Sequence, residues 1–157
     1  MTREPEQQPP SYLRPTNLLL VFAGGSLGVL VRELLMLAVP DVSGLPLAVL
    51  IANLAGALLL GLLLEALAAR GSETDGRQRL RLLIGTGALG GFTTYSALAQ
   101  AVALLWGGGS VGPALGYGLA TLLLGCLAAW LGIALGARLG KGRRGPSSSP
   151  EGGGSDG

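Results

Sequence analysis

The sequence has 157 residues, 49% of them apolar, a mean hydropathy of +0.55 and a charged fraction of 13%, about half of what soluble domains carry. It has no histidine and one cysteine, Cys126. That removes the commonest general base and metal ligand, leaves no metal-ligand spacing and forbids an intrachain disulfide. A soluble domain is excluded, a metalloenzyme or intramembrane protease is argued against, and an integral membrane protein with one helical domain remains.

Residues 1–16 are polar and rich in Pro and Gln, which reads as a disordered cytoplasmic arm. The first predicted span covers 17–39 and stops at Pro40. Gly24 and Gly28 form a small-xxx-small face in it, with Gly25 and Ser26 alongside. Arg32 and Glu33 stand near its far end. Charge in a membrane hints at function, but Arg32 is close enough to the interface to snorkel, and a structural anchor is the plainer reading.

The second span covers 46–69, with Pro46 suited to its first turn. Its one strongly polar interior residue is Asn53, followed by Gly56. A buried amide must find partners. Asn53 either bridges two helices or points its donors into a pore. A polar loop with Arg70, Arg77, Arg79 and Arg81 follows.

The third span, 82–106, holds GTGALGGFTTYS, from Gly85 to Ser96. Gly90 and Gly91 are poor helix residues, and Thr93 and Thr94 are β-branched. An interrupted helix there would free backbone carbonyls at membrane depth, where only a protein-lined or wet site tolerates them. Such carbonyls are hard ligands suited to a small hard cation. The alternative is a small-residue contact between two intact helices.

The fourth span, 113–137, sets Tyr117, Thr121 and Gly125 on one face. That stripe either lines a polar path or bonds its own backbone. Residues 138–157 form a basic, then Gly/Ser-rich tail, read as disordered. Ten of the eleven Lys and Arg residues fall in the arm, the second loop and the tail, leaving Arg32 alone elsewhere. Both termini are therefore expected in the cytoplasm, in a multi-pass plasma-membrane protein.

Four landmarks in order resemble the Fluc/CrcB family of fluoride channels. They are GGSLGVLVRE (Gly24 to Glu33), ANLAG (Ala52 to Gly56), GALGGFTTYSAL (Gly87 to Leu98) and the pair Tyr117 and Thr121. The third is the specific one. The resemblance implies an all-α membrane fold of four transmembrane helices, the third broken at its centre, in an antiparallel dual-topology-type dimer with two pores. It implies a structural, untransported Na+ held by the Gly90 and Thr93 carbonyls of both subunits, with Arg32 and Gly91 structural. It also implies passive fluoride export along Asn53, Thr94, Tyr95, Ser96, Tyr117 and Thr121.

Some positions depart from the family pattern. Tyr95 and Leu98 stand where the family has two phenylalanines. Ala97 replaces a hydroxyl, Ala101 beside Gln100 replaces a glutamate, and Gly125 replaces a fourth-helix hydroxyl. The charge bias favours one orientation, so a homologous partner of opposite orientation is expected. The competing readings are a non-conducting partner subunit of a heterodimeric channel and a small four-helix proton-coupled exporter. The exporter needs a membrane-buried carboxylate, and Glu33 and Glu65 lie near span ends. No enzyme activity is expected.

Overall fold

A computed structural model describes residues 14–72 and 74–141 of the chain. The expected arm, up to residue 13, and the tail from 142 onward lie outside the described residues. Four helical stretches, Pro15–Ala38, Leu47–Ala68, Asp75–Gly107 and Val111–Leu139, are long and apolar enough to cross a membrane. No β-strand occurs among the described residues.

Helix α1 is Pro15–Ala38, with proline in its first turn, where a missing amide costs nothing. It ends at Val39, whose amide still reaches the Leu35 carbonyl at 2.9 Å. A tight reversal follows, in which Val42 and Leu45 exchange two backbone bonds of 2.9 and 3.1 Å. Its two central residues, Ser43 and Gly44, have φ of 54° and 77°, the double left-handed geometry of a two-residue hairpin turn. Helix α2 is Leu47–Ala68.

The third crossing is composite. A short α3, Asp75–Leu80, runs into a π-helical segment, Arg81–Leu89, then a single turn α4, Gly90–Phe92, and finally α5, Tyr95–Gly107. Between α4 and α5 two residues are extended: Thr93 at φ −77°, ψ 156° and Thr94 at φ −149°, ψ 115°. Gly90 keeps helical dihedrals, φ −64° and ψ −38°. The residues that leave the helix are thus the β-branched threonines, which lose side-chain freedom in a helix, and not the glycine pair. Helix α6 is Val111–Lys141, longer than the span expected from the sequence.

Glycine sets how closely these helices approach. A Cβ at Gly24 would overlap the Leu83 carbonyl, one at Gly28 the Ala88 carbonyl, and one at Gly91 the Gly25 carbonyl. Gly87 meets Val21 and Gly24 in the same way. The face Gly24-x3-Gly28 therefore interlocks with Gly87-x3-Gly91, backbone on backbone, as small-residue contacts in membranes do. Helices α2 and α6 repeat the device at Gly61 against Ala129 and at Gly132 against Leu58.

Among the described residues no large side chain is fully buried. Ala48, Ala52 and Ala114 occupy the inside, with a small cluster of Val49, Leu98 and Tyr117. Large apolar side chains face outward from every crossing, among them Phe22, Leu37, Leu59, Leu104 and Leu123. Such a surface is suited to lipid or to another subunit.

Candidate functional site: the extended step of the third crossing

The extended step at Thr93 and Thr94 is held by one side chain from α2. Asn53 accepts from the Thr94 amide at 2.8 Å through Oδ1. It donates to the Thr94 carbonyl at 3.0 Å through Nδ2. A carboxamide is the side chain that can do both at once. Asn53 therefore supplies a strand-like partner to Thr94, and through these two bonds it bridges α2 and the third crossing. Gly56, one turn further along α2, leaves room for the Thr93 methyl, which a Cβ there would overlap.

The diverted amides matter for the carbonyls left behind. In a continuing helix the Thr94 amide would bond the Gly90 carbonyl, and the Ala97 amide would bond the Thr93 carbonyl. Here the first goes to Asn53, and the second goes to the Thr94 hydroxyl at 3.2 Å, capping α5. Gly90 is exposed on the surface of the chain. Two main-chain oxygens are thereby released from helical pairing within four residues.

Neighbouring carbonyls are treated differently. Leu89 O accepts from both the Thr93 amide and the Thr93 hydroxyl, each at 3.0 Å. Gly91 O accepts from the Arg32 guanidinium at 3.3 Å. Arg32 also pairs with Glu33 at 3.1 Å, and its side chain is 21% exposed. It thus links the third crossing to the exposed Glu33 on its own helix. A positive group thus stands beside one end of the step.

The hydroxyls divide into two groups. Thr94 and Ser96 share a hydrogen bond of 3.2 Å, next to Asn53. On α6, the Thr121 hydroxyl donates to the Tyr117 carbonyl at 2.8 Å, and the Tyr117 hydroxyl donates to the Pro46 carbonyl at 2.9 Å. Both α6 protons serve the backbone, and Tyr117 ties the start of α2 to α6. No hydrogen bond among the described residues joins the two groups. Tyr95 stands apart, 79% exposed, on a cleft of about 540 Å³ between α5 and α6 lined also by Leu98, Val102, Trp106 and Leu122. A second cleft of about 460 Å³ opens at the α1–α2 turn, lined by Asp41, Pro46, Gln100 and Ser110 among others.

Three features were not legible beforehand: the reciprocal Asn53–Thr94 pairing, the Arg32–Gly91 contact and the tie from Tyr117 to Pro46. The repeated spacing of Gly24-x3-Gly28 and Gly87-x3-Gly91 is the signal that could have paired α1 with the third crossing, and hence Arg32 with Gly91. The other two couple residues 41 and 71 positions apart, with no local pattern to mark them.

Residues 19–133 match the family model described as CrcB-like protein, Camphor Resistance (CrcB). The chain belongs to the CrcB family. Its relatives include a fluoride-specific ion channel FluC 2 of Leifsonia xyli subsp. xyli, 45% identical over 88% of this chain and 95% of that protein. A fluoride-specific ion channel FluC 1 of Cutibacterium acnes is 42% identical over 77% of this chain and 85% of its own length. A fluoride-specific ion channel FluC of Mesorhizobium japonicum is 38% identical over 74% and 93%. With four crossings and this kinship, the CrcB-family chain is a multi-pass membrane protein.

Proposed function

We propose that the chain is a fluoride channel subunit that lets cytoplasmic fluoride leave the cell passively, through pores formed where it packs against an inverted second subunit. The observation that carries this reading is the extended step locked by Asn53, which withdraws two amides from the carbonyls of Gly90 and Thr93. Those oxygens are hard ligands of the kind that suits a small hard cation. Among the described residues no cluster of acidic, His or Cys side chains offers an alternative metal site. Gly90 O and Thr93 O, with their counterparts from the second subunit, would hold Na+, which supplies a fixed positive charge favourable to anions in a low-dielectric setting.

Fluoride is strongly hydrated, so a pore must replace its water with donors. The donors nearest the step are the Asn53 amide and the Thr94–Ser96 hydroxyl pair, of which one proton is engaged by the other. Tyr95, on the outer face, would meet the second subunit. Tyr117 and Thr121 reach the path in our reading only by exchanging the backbone partners they hold here. Arg32, bonded to the Gly91 carbonyl, keeps that oxygen turned away from the cation and so shapes the step.

The charge bias assigns both termini to the cytoplasm, and a chain that inserts one way needs a partner that inserts the other way. Relatives named FluC 1, FluC 2 and FluC 3 fit a division into unlike subunits. The proton-coupled exporter is disfavoured because Glu33 is exposed and paired with Arg32. The test is fluoride efflux from liposomes carrying this chain alone and together with a homologue of opposite charge bias. Efflux from the mixed assembly, and little from the chain alone, is the expected result. Flux unchanged by Asn53→Ala or Ser96→Ala in that assembly would assign this chain a non-conducting role.

A further inference from the structure

The arginine-rich end of the molecule contains a pocket that the channel reading does not use. It measures about 210 Å³ and lies between the end of α2 and the start of the third crossing, lined by Leu64, Leu67, Ala68, Gly71, Arg77 and Arg81. Its two halves differ in chemistry. The α2 side is aliphatic, Leu64, Leu67 and Ala68, with Leu64 43% exposed. The pocket's charged lining residues are Arg77 and Arg81. Arg77 is fixed in place by bonds to the carbonyls of Arg70 (2.7 Å) and Gly71 (3.0 Å) and to the Thr74 hydroxyl (3.3 Å). Arg81 opens the π-helical segment, at the point where the chain passes from polar loop to apolar crossing.

We infer that this pocket binds the headgroup of an anionic phospholipid, with the phosphate between Arg77 and Arg81 and the first part of an acyl chain along Leu64, Leu67 and Ala68. Guanidinium groups match phosphate geometry through paired donors. Arginines at the membrane boundary attract anionic lipids electrostatically, and basic pockets between crossings are known places for such headgroups. A pocket at that depth with arginines on one side and apolar residues on the other complements a phospholipid better than a soluble anion, which would leave the apolar side unused. The bound lipid would clamp α2 to the start of the third crossing, the segment that leads to the extended step.

The test measures thermal unfolding of the purified full-length chain in neutral detergent, titrated with phosphatidylglycerol, with phosphatidylcholine or with inorganic phosphate. Phosphatidylglycerol should raise the unfolding temperature, and the other two should not. Arg81→Gln should weaken the apparent lipid affinity about fivefold, the scale of one arginine near an anionic surface. Arg79→Gln, in the same loop but outside the pocket, should change it less than about twofold. Ala68→Trp, which fills the apolar side with every charge kept, should abolish the shift and guards against misfolding of the Arg81 variant. Equal stabilisation by both lipids, an Arg79 effect as large as that of Arg81, or a full shift from inorganic phosphate alone would each overturn the site. None of these readouts depends on fluoride flux.

Discussion

At the residue scale the decisive side chain is Asn53. It makes two hydrogen bonds to one residue, and removing it strands a backbone amide and a carbonyl inside the protein. Orphaning buried polar groups costs about 1–3 kcal/mol each, and there is no water in the bilayer core to compensate. Asn53→Ala should therefore lower stability by about 1–3 kcal/mol and depress fluoride flux together, read by thermal unfolding and liposome efflux. Asn53→Asp keeps an acceptor for the Thr94 amide but faces the Thr94 carbonyl with an oxygen, so it should be at least as damaging. Thr94→Ala removes the α5 cap, a change worth about 1 kcal/mol, and leaves Asn53 its two backbone partners. Its stability loss should be the smaller of the two.

At the scale of elements, two glycines on different crossings, Gly28 and Gly90, make opposite predictions. A Cβ at Gly28 would run into the Ala88 carbonyl and the Phe92 amide, both rigid backbone, whereas one at Gly90 meets nothing within 4 Å inside the chain. Gly28→Ala should separate α1 from the third crossing and reduce the folded yield on size-exclusion chromatography. Gly90→Ala should leave the isolated subunit folded. In our reading its surface is covered only by the second subunit, so the variant should fail in assembly and in flux. A Gly90→Ala chain that assembles and conducts as the parent does would remove Gly90 from the subunit boundary.

The same scale shows what the sequence carried and what it did not. Four crossings follow from apolar length, because hydrocarbon thickness fixes that length. The step in the third crossing lies within GGFTTYS, where helix-poor residues cluster, but its position does not follow from propensity. The glycine pair stays helical, and of the two it is Gly91 that packs closely, against Gly25. The threonines leave the helix where Asn53 pairs with the Thr94 backbone and the Thr94 hydroxyl takes the Ala97 amide. That outcome depends on a contact between α2 and the third crossing, and no single-residue preference encodes it. The hydroxyl stripe on α6 was evident as a stripe, but its orientation was not. Tyr117 and Thr121 give their protons to backbone carbonyls, a choice made by the proximity of Pro46 and of the preceding helical turn.

At the scale of the whole molecule, one subunit has little interior. Its buried side chains are mostly small, and large apolar groups face outward on every crossing, including the cleft beside Tyr95. Ten of eleven basic residues lie in segments that share one side of a four-crossing chain, so insertion in a single orientation is expected. Cysteine-accessibility labelling of single cysteines at the termini and in the 108–110 loop, in a Cys126→Ala background, should find the termini protected from outside and the loop open. Equal labelling at both would indicate dual insertion and permit a homodimer.

The account depends most on the carbonyls of Gly90 and Thr93 gripping a cation at the centre of a fluoride-conducting pair. The direct measurement is fluoride and chloride efflux from liposomes in which this chain and its oppositely oriented homologue were purified and assembled either in Na+ or with Na+ replaced throughout by a bulky organic cation. The account predicts fluoride efflux without chloride efflux from the Na+ assembly and a marked loss of it when Na+ is withheld. Fluoride efflux indifferent to Na+, or absent from both assemblies, would contradict it.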